Sequence, residues 1–230
     1  MKIRFAAAAA LALAGAAAMP ASAQVNGIGT VNVPAAIYSS QALEAAYTQI
    51  FQTYGTQMTQ LQQTMQQRDA LMAQFDTDQN GQLDQAELTA AQGNTAVVQQ
   101  LQGLNQTIAQ LQGPITTAQV YTIEQILMQY SAAAEQVIRE RNVQLILAPE
   151  AIVYAPQEIS LNDEIVAALN QRVPSVSTTV PEGWRPQQES VQIWEQVQEL
   201  IQTLSQMRQA QQAQQGQQGQ PAPATPVQGR

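Results

Sequence analysis

The chain has 230 residues and a formal net charge of −8, and it contains neither cysteine nor histidine. Without cysteine there is no disulfide framework and no thiolate metal site. Without histidine the usual general base and the usual transition-metal ligand are missing, so we do not expect an enzyme. A nucleic-acid binder is excluded as well, because no basic stripe is present to displace phosphate counterions.

Residues Met1–Ala23 have the pattern of a cleavable secretory signal peptide. Lys2 and Arg4 begin the segment, an alanine-rich apolar run covers Phe5–Met19, and Ala21–Ala23 is a small-residue cleavage site. The apolar run is short for a membrane-spanning helix, and cleavage leaves no N-terminal cysteine for a lipid anchor. We therefore expect an exported, soluble mature protein with no integral membrane segment.

A long helical hairpin arm is predicted over residues 39–142. Apolar residues recur there at alternating steps of three and four, the coiled-coil pattern that keeps a narrow seam facing a partner helix. An arm of about 35 residues extends roughly 50 Å, which is too long for a compact globule. The outgoing set is Leu43, Tyr47, Ile50, Tyr54, Met58, Leu61, Met65, Met72 and Phe75, and the returning set is Val97, Leu101, Leu104, Ile108, Leu111, Ile115, Val120, Ile123, Leu127, Tyr130, Ala134 and Val137.

Local signals define the limits of these helices. Ser39 or Ser40 is expected to cap the outgoing helix, with Glu44 in its first turn. Gly93-Asn94 predicts a turn before the returning helix. Gly113-Pro114 is expected to interrupt that helix, as a fixed bend or a hinge, because proline removes a helix hydrogen bond.

Three methionines of the outgoing helix, Met58, Met65 and Met72, lie seven residues apart on one stripe. One interpretation is that they fill the coiled-coil seam, with which the stripe coincides. The other is that they form an adaptable surface for varied apolar ligands, since an unbranched thioether repacks easily. We favour the first interpretation.

The segment at the tip of the arm matches the twelve-residue EF-hand calcium loop over Asp76–Glu87. Gly81 would supply the sharp turn at the sixth position, and a single loop predicts one weak Ca²⁺ site. The alternative is a metal-free acidic turn that only reverses the chain. The predicted oxygen ligands are Asp76, Asp78, Asn80, the carbonyl of Gln82, Asp84 and a bidentate Glu87.

A small β/α body is predicted from residues 24–38 and 143–173. Short β-prone runs occur at Ile28–Val33, Val143–Leu147 and Ala151–Tyr154, with a hairpin turn at Pro149-Glu150 between the last two. Three short strands cannot enclose a core alone, so we expect the body to oligomerise. Ser160 is predicted to cap a closing helix that ends at Val173 and turns Ile165, Val166 and Leu169 inward.

The C-terminal part begins with a predicted linker, Pro174–Pro186, followed by an amphipathic helix over Glu189–Arg208. That helix would dock on the body or pair with its copies. The Gln/Pro-rich residues 209–230 are expected to be disordered. The fold class is therefore α+β and predominantly α, with helical-hairpin arms on a small β body. The apolar face of the C-terminal helix comprises Val191, Trp194, Val197, Ile201 and Leu204.

Two segments carry a resemblance to a known family: Ile28–Ile37 (IGTVNVPAAI) and, more specifically, Asn142–Val173 (NVQLILAPEAIVYAPQEISLNDEIVAALNQRV). They resemble the Skp/OmpH family of periplasmic outer-membrane-protein chaperones, whose layout spans Gln24–Val173. The resemblance implies a homotrimer whose strands form a shared barrel. It also implies that three arms enclose a cavity for unfolded outer-membrane proteins, without catalysis or ATP. The better-known members are basic, whereas this chain is acidic, and the tip loop and the residues beyond Pro174 are additions.

Two functions are consistent with these patterns. The first is an ATP-independent periplasmic holdase for unfolded outer-membrane proteins. The second is a calcium-binding structural or sensing protein of the cell envelope that uses the single EF-hand-like loop.

Overall fold

The computed structural model describes residues 27–218 except 79, 81, 83 and 155. The predicted signal peptide and residues 219–230 lie outside the described part of the chain. The described elements are β1 (Ile28–Thr30), α1 (Val33–Tyr38), α2 (Gln41–Met72), α3 (Gln85–Gly93), α4 (Thr95–Glu140), β2 (Leu145–Leu147), α5 (Asn162–Arg172) and α6 (Gln188–Gln218), with 3-10 turns at Pro149–Ala151 and Gln157–Ile159. The fold is mostly helical with a small sheet, as predicted.

The predicted hairpin arm is confirmed in the packing of α2 against α4. Leu43, near the start of α2, shares a core cluster with Ile123 and Ile126 of α4, whereas Ile50 packs against Ile115 and Ala118. Moving outward along α2 therefore means moving backward along α4, so the two helices are antiparallel.

The ends of these two helices are closed by local hydrogen bonds. The hydroxyl of buried Ser40 accepts from the Leu43 amide at 3.3 Å and caps α2, as expected. Where α4 ends, at the same end of the arm as the start of α2, Asn142 has a φ of 52°. The amide of Asn142 donates to the Arg139 carbonyl and that of Val143 to the Ile138 carbonyl. This is the Schellman arrangement, in which a left-handed residue ends the helix and turns the chain away.

The helix does not restart at Gly113-Pro114, because α4 is one helix from Thr95 to Glu140 with Pro114 inside it. The fixed bend at this position stays a prediction. Proline removes one backbone donor. The helix continues because Ile115 and Ala118, directly after the proline, are buried against Ile50 of α2. Packing along the seam outweighs the loss of that single hydrogen bond.

The sheet joins the two ends of the body. Strand β1 pairs in parallel with β2, with Ile28 opposite Leu145 and Thr30 opposite Leu147. The arm between them is the long crossover connection that a parallel pair requires. Thr30 also forms an isolated parallel bridge with Ser160, and the Thr30 carbonyl accepts from the Leu161 amide at 3.0 Å.

The predicted third strand, Ala151–Tyr154, and the hairpin turn before it are not formed. Instead the Ala151 amide donates to the Ala148 carbonyl and the Ile152 amide to the Pro149 carbonyl, which makes a 3-10 turn. These local bonds use the amides that a strand would need for a neighbour. Val153 and Tyr154, which follow, are 104% and 89% exposed.

Two further boundaries differ from the prediction. The first strand ends at Thr30 because Asn32 caps a short helix, α1, by accepting from the Ala35 amide at 2.9 Å, with Pro34 in its first turn. Ser160 does not cap the closing helix. It lies in the bridge to Thr30, and α5 begins at Asn162.

The core lies where α1, α5, α6, the start of α2 and the C-terminal half of α4 meet. Ile165 and Leu169 of α5 are fully buried there, and Val166 is half-buried. Helix α6 contributes Val197 and extends to Gln218, ten residues beyond the predicted end at Arg208. None of the described helices is long and apolar enough to cross a membrane. The fully buried large side chains are Ile37, Ile50, Ile123, Ile126, Leu161, Ile165, Leu169, Val137 and Val197.

Candidate functional site

The tip of the arm brings three of the six predicted calcium ligands together. Asp76, Asp78 and Glu87 each offer a carboxylate oxygen within 4.8 Å of the others. Glu87 is buried and Asp78 is exposed. Three convergent carboxylates are the kind of ligand set that suits a hard cation such as Ca²⁺.

Glu87 is held in this cluster by hydrogen bonds of its own. Its Oε1 accepts from the Thr77 amide at 2.6 Å and from the Thr77 hydroxyl at 2.7 Å, and its Oε2 accepts from the Asp84 amide at 3.0 Å. These donors, the Thr77 hydroxyl first, lower the pKa of the Glu87 carboxyl below its ordinary value. Glu87 is therefore an anion at neutral pH.

Asp84 is positioned as a helix cap and is not a member of the carboxylate cluster. Its Oδ1 accepts from the amides of Ala86 and Glu87, and with Glu87 it forms a capping box at the start of α3. This role was not predicted from the sequence. The signal was present, since an Asp followed three residues later by Glu is a capping-box pattern.

The other two predicted ligands shape the loop. The Asn80 amide donates to Asp76 Oδ1 at 3.1 Å and to Asp78 Oδ1 at 3.2 Å, while Asn80 Oδ1 accepts from the Gln82 amide at 2.7 Å. Asn80 therefore lies next to the cluster, and Gln82 is exposed. Gly81 is outside the described residues.

The shaft of the arm, which we define as Ala45–Gln67 of α2 with Thr95–Ile123 of α4, contains no charged residue. Its outer surface is mainly glutamine and threonine. Large apolar side chains are exposed in it as well, namely Phe51 at 65% and Met65 at 39%. The shaft is therefore a neutral surface with exposed apolar groups.

The root of the arm, by which we mean the end next to the body where α2 begins and the C-terminal half of α4 lies, has a buried carboxylate. It is Glu124 of α4, which is 6% exposed. It accepts three hydrogen bonds at 3.0 Å: from Trp184 Nε1 at its Oε1, and from the Gln187 amide and the Ser190 hydroxyl at its Oε2. All three donors come from the segment before and at the start of α6. Glu124 was not predicted from the sequence, although one glutamate inside an otherwise apolar helix stripe was the available signal.

Further contacts fix the same segment, residues 175–190, which we call the strap. Gln125 Nε2 donates to the Ser177 carbonyl at 2.8 Å, and its Oε1 accepts from the Ser177 amide at 3.2 Å. The Trp184 ring packs edge-on against Tyr121, with 5.1 Å between ring centroids. Val180 packs at the seam cluster around Ile50. The predicted linker is thus docked along α4.

Helix α6 docks on its own chain, both on the body, where Val197 shares the core with Ile37 of α1, and on the arm. Docking on the body was one of the two alternatives expected. Trp194 Nε1 donates to Gln119 Oε1 at 3.1 Å, and Gln198 Nε2 donates to the Tyr47 hydroxyl at 3.1 Å. Burial raises the pKa of the Tyr47 phenol well above its ordinary value, and the Gln198 hydrogen bond opposes this only in part. Tyr47 is therefore a neutral, hydrogen-bonded group in the root.

The sheet end of the body exposes apolar side chains. Within the described residues β2 pairs with β1 alone, and its Leu145 and Ile146 are 50% and 38% exposed. Val153 and Tyr154 follow a few residues later. A short strand with an open edge and exposed apolar groups is suited to pairing with another chain.

Comparison with known proteins gives one family and one structure. The profile of the family described as OmpH, outer membrane protein (OmpH-like), matches residues 27–169. The chain is also similar to the crystal structure of an OmpH-like outer membrane chaperone candidate from Caulobacter crescentus CB15. The identity is 18% and the TM-score 0.39, with 76% of this chain and 95% of that chain covered. No curated protein matches the chain. The family match contains the sheet, the arm and the tip loop, and it ends before the strap.

Proposed function

Because the chain belongs to the OmpH family of outer-membrane-protein chaperones, which are not enzymes, we propose that it is an ATP-independent holdase for unfolded outer-membrane proteins. The observation that carries this proposal is the neutral, apolar-bearing shaft of a long helical arm. An unfolded client exposes apolar segments, and many weak contacts along such a shaft would shield them without imposing one conformation.

The open edge of the sheet supports an assembly of copies, and the family resemblance implies that there are three. A two-stranded sheet is marginal on its own, and β2 presents an open edge with Leu145 and Ile146 exposed. In the proposed homotrimer the strands of three copies complete a shared barrel. The three arms then project from one end and enclose the client.

The proposed location is the periplasm. Members of the OmpH family are typically periplasmic, and residues Met1–Ala23 have the composition of a signal peptide that would direct export. The mature chain would meet its clients between their export and their insertion into the outer membrane.

The test of holding is an aggregation assay. An unfolded porin is diluted from urea in the presence of the mature protein, without ATP, and light scattering is recorded. We expect suppression of aggregation at a stoichiometric amount of trimer. Unchanged scattering would remove the holdase proposal.

A second function is proposed for the tip, where the carboxylates of Asp76, Asp78 and Glu87 converge. In this proposal Ca²⁺ binds them, with Asn80 beside the site, and stiffens the end of the arm by neutralising the repulsion between the carboxylates. The three hydrogen bonds that Glu87 accepts compete with the ion, which agrees with a weak site of the extracellular kind, about 10⁻⁴–10⁻³ M.

Calorimetry with calcium alone tests the tip site. Glu87→Gln should weaken calcium uptake strongly and leave the subunit number unchanged. Asp69→Asn is the matched control, because Asp69 is an exposed carboxylate near the end of α2 that pairs with Arg68 at 2.7 Å. Equal uptake by wild type and Glu87→Gln would show that the ligand assignment is wrong. If the protein also stops suppressing aggregation when a chelator is added, the calcium-binding role of the tip is the main function.

A further inference from the structure

Four apolar side chains of α2 lie seven residues apart: Phe51, Met58, Met65 and Met72. Seven residues make almost two turns of an α-helix, so residues at this spacing line up with a drift of only about 20° per step. The four therefore form one row along α2, which we call the contact row. At 1.5 Å per residue it is roughly 30 Å long.

The contact row lies at the flank of the seam and is only partly used to hold the arm together. Tyr54 and Met58 pack at the cluster of Ile50, Ile115 and Ala118, and Met58 is half-buried. Phe51 and Met65 are the members that the seam leaves exposed. This differs in part from the interpretation of the methionines as seam filler, because Met58 packs at the seam whereas Met65 is exposed.

The surroundings of the contact row are free of charge over most of its length. No charged residue occurs between Glu44 and Arg68 on α2, or between Glu87 and Glu124 across α3 and α4. Near the outer end, Arg68 and Asp69 pair with each other. A charged ligand would find no opposite charge along the shaft, whereas apolar side chains would find Phe51 and the thioethers.

We propose that the contact row binds the apolar face of an extended, weakly charged client segment, such as an unfolded membrane strand, and that this contact does not depend on charge. The inference rests on the proposed holdase function. Side chains of an extended chain alternate between two faces, and membrane strands carry apolar residues on every second position. Methionine adapts to side chains of different size, and Phe51 provides a larger, stiffer contact near the root.

The test compares two pairs of exposed apolar residues in the aggregation assay. The first variant is F51Q/M65Q. Its matched control is M128Q/M207Q, which changes two exposed methionines outside the contact row, one on α4 below the shaft and one on α6. We expect F51Q/M65Q to raise the concentration needed for half-suppression on the order of tenfold, which corresponds to about 1.4 kcal/mol. The control should match wild type, and Phe51→Leu should retain most of the holding.

Salt provides the second readout. The concentration of wild type needed for half-suppression should be the same at ionic strengths of roughly 0.01 M and 0.15 M. Over this range the screening length falls from about 30 Å to about 8 Å. A steep loss of holding with salt would overturn the charge-independent contact.

The remaining outcomes separate this proposal from the holdase function. If wild type suppresses aggregation and F51Q/M65Q does so equally well, the contact row does not bind the client, while the holdase function is still supported. If wild type fails, both proposals fall. If F51Q/M65Q changes the subunit number in sedimentation while the control does not, the row is an interface between copies, which also overturns the proposal.

Discussion

Gly29 of β1 shows how closely the sheet approaches the rest of the body. A Cβ atom at this position would lie 2.7 Å from Leu161 Cδ1 and 3.0 Å from Leu161 Cγ. Leu161 is 1% exposed and belongs to the core, so it has no free space into which it can move. The contact requires the absence of a side chain at residue 29.

We expect Gly29→Ala to lower the free energy of unfolding by about 1–3 kcal/mol through overpacking. Gly55→Ala is a control, and its expected effect on the free energy of unfolding has the opposite sign. Gly55 lies inside α2 with nothing within 4 Å of the added methyl group, so it should stabilise by about 0.5–1 kcal/mol. Urea unfolding followed by circular dichroism measures both. Equal effects of the two changes would contradict the close contact at Gly29.

The stability of the tip depends on pH because of Glu87. Its folded pKa is lowered by Thr77 and Asp84, so its stabilising effect is complete above the unfolded value of about 4.3. The effect is lost as the pH falls through the lower folded pKa. We expect the α3 amides to lose protection in that acid range while the body keeps its own. In Thr77→Val the Glu87 carboxyl should titrate at higher pH in an NMR experiment, and an unchanged titration would contradict the role of Thr77.

At the scale of elements, the strap and α6 tie together parts of the chain that are far apart in sequence. The bonds to Glu124 come from residues 60 to 66 positions later, and the bond between Gln198 and Tyr47 spans 151 positions. They connect the root of the arm to a segment beyond the family match. Because Val180 also packs at the seam cluster, the strap braces α4 close to Pro114.

Replacing Glu124 by Ala should release the strap, since three donors lose their acceptor and a buried unsatisfied group costs about 1–3 kcal/mol. Glu135→Ala is the matched control on the same helix, because Glu135 is exposed and, within the described residues, pairs with Arg139 one turn away. Hydrogen exchange should accelerate in residues 175–190 for Glu124→Ala alone. If both variants exchange alike there, Glu124 does not hold the strap.

At the scale of the whole molecule, the helices bury their apolar faces within one chain, whereas the sheet does not. The arm buries its seam within one chain, and α1, α5 and α6 enclose one core together with the start of α2 and the C-terminal half of α4. The sheet has an open edge with exposed apolar residues at β2. In the proposed assembly a second chain would attach at β2, which follows the end of α4 at Glu140.

Leu145→Glu should convert the proposed trimer into monomers, because a carboxylate would be buried without a partner at the joined edge. Sedimentation of the mature chain measures the subunit number, and Met207→Glu on exposed α6 is the control. A wild-type protein that sediments as a stable monomer would contradict the shared barrel. It would also contradict the cavity that the three arms are proposed to enclose.

The sequence by itself determined the arm, the cap at the start of α2 and the position of the tip, because these depend on neighbours a few residues away. The alternation of three and four predicted α2 and α4, and Ser40 was among the two caps expected. The EF-hand pattern located the carboxylates of Asp76, Asp78 and Glu87, although it did not separate the capping role of Asp84 from a ligand role. Whether an ion binds there stays a prediction.

Only the tertiary structure decided the features that depend on distant partners. The continuity of α4 through Pro114 comes from packing against α2. The strand predicted after β2 is replaced by a 3-10 turn, because the amides of Ala151 and Ile152 bond locally and not to the open edge of β2. The docking of the strap on Glu124 joins residues whose spacing carries no periodic signal. Exposure of Phe51 beside buried Ile50 is likewise set by where α4 lies, because a period of seven alone does not distinguish a seam from its flank.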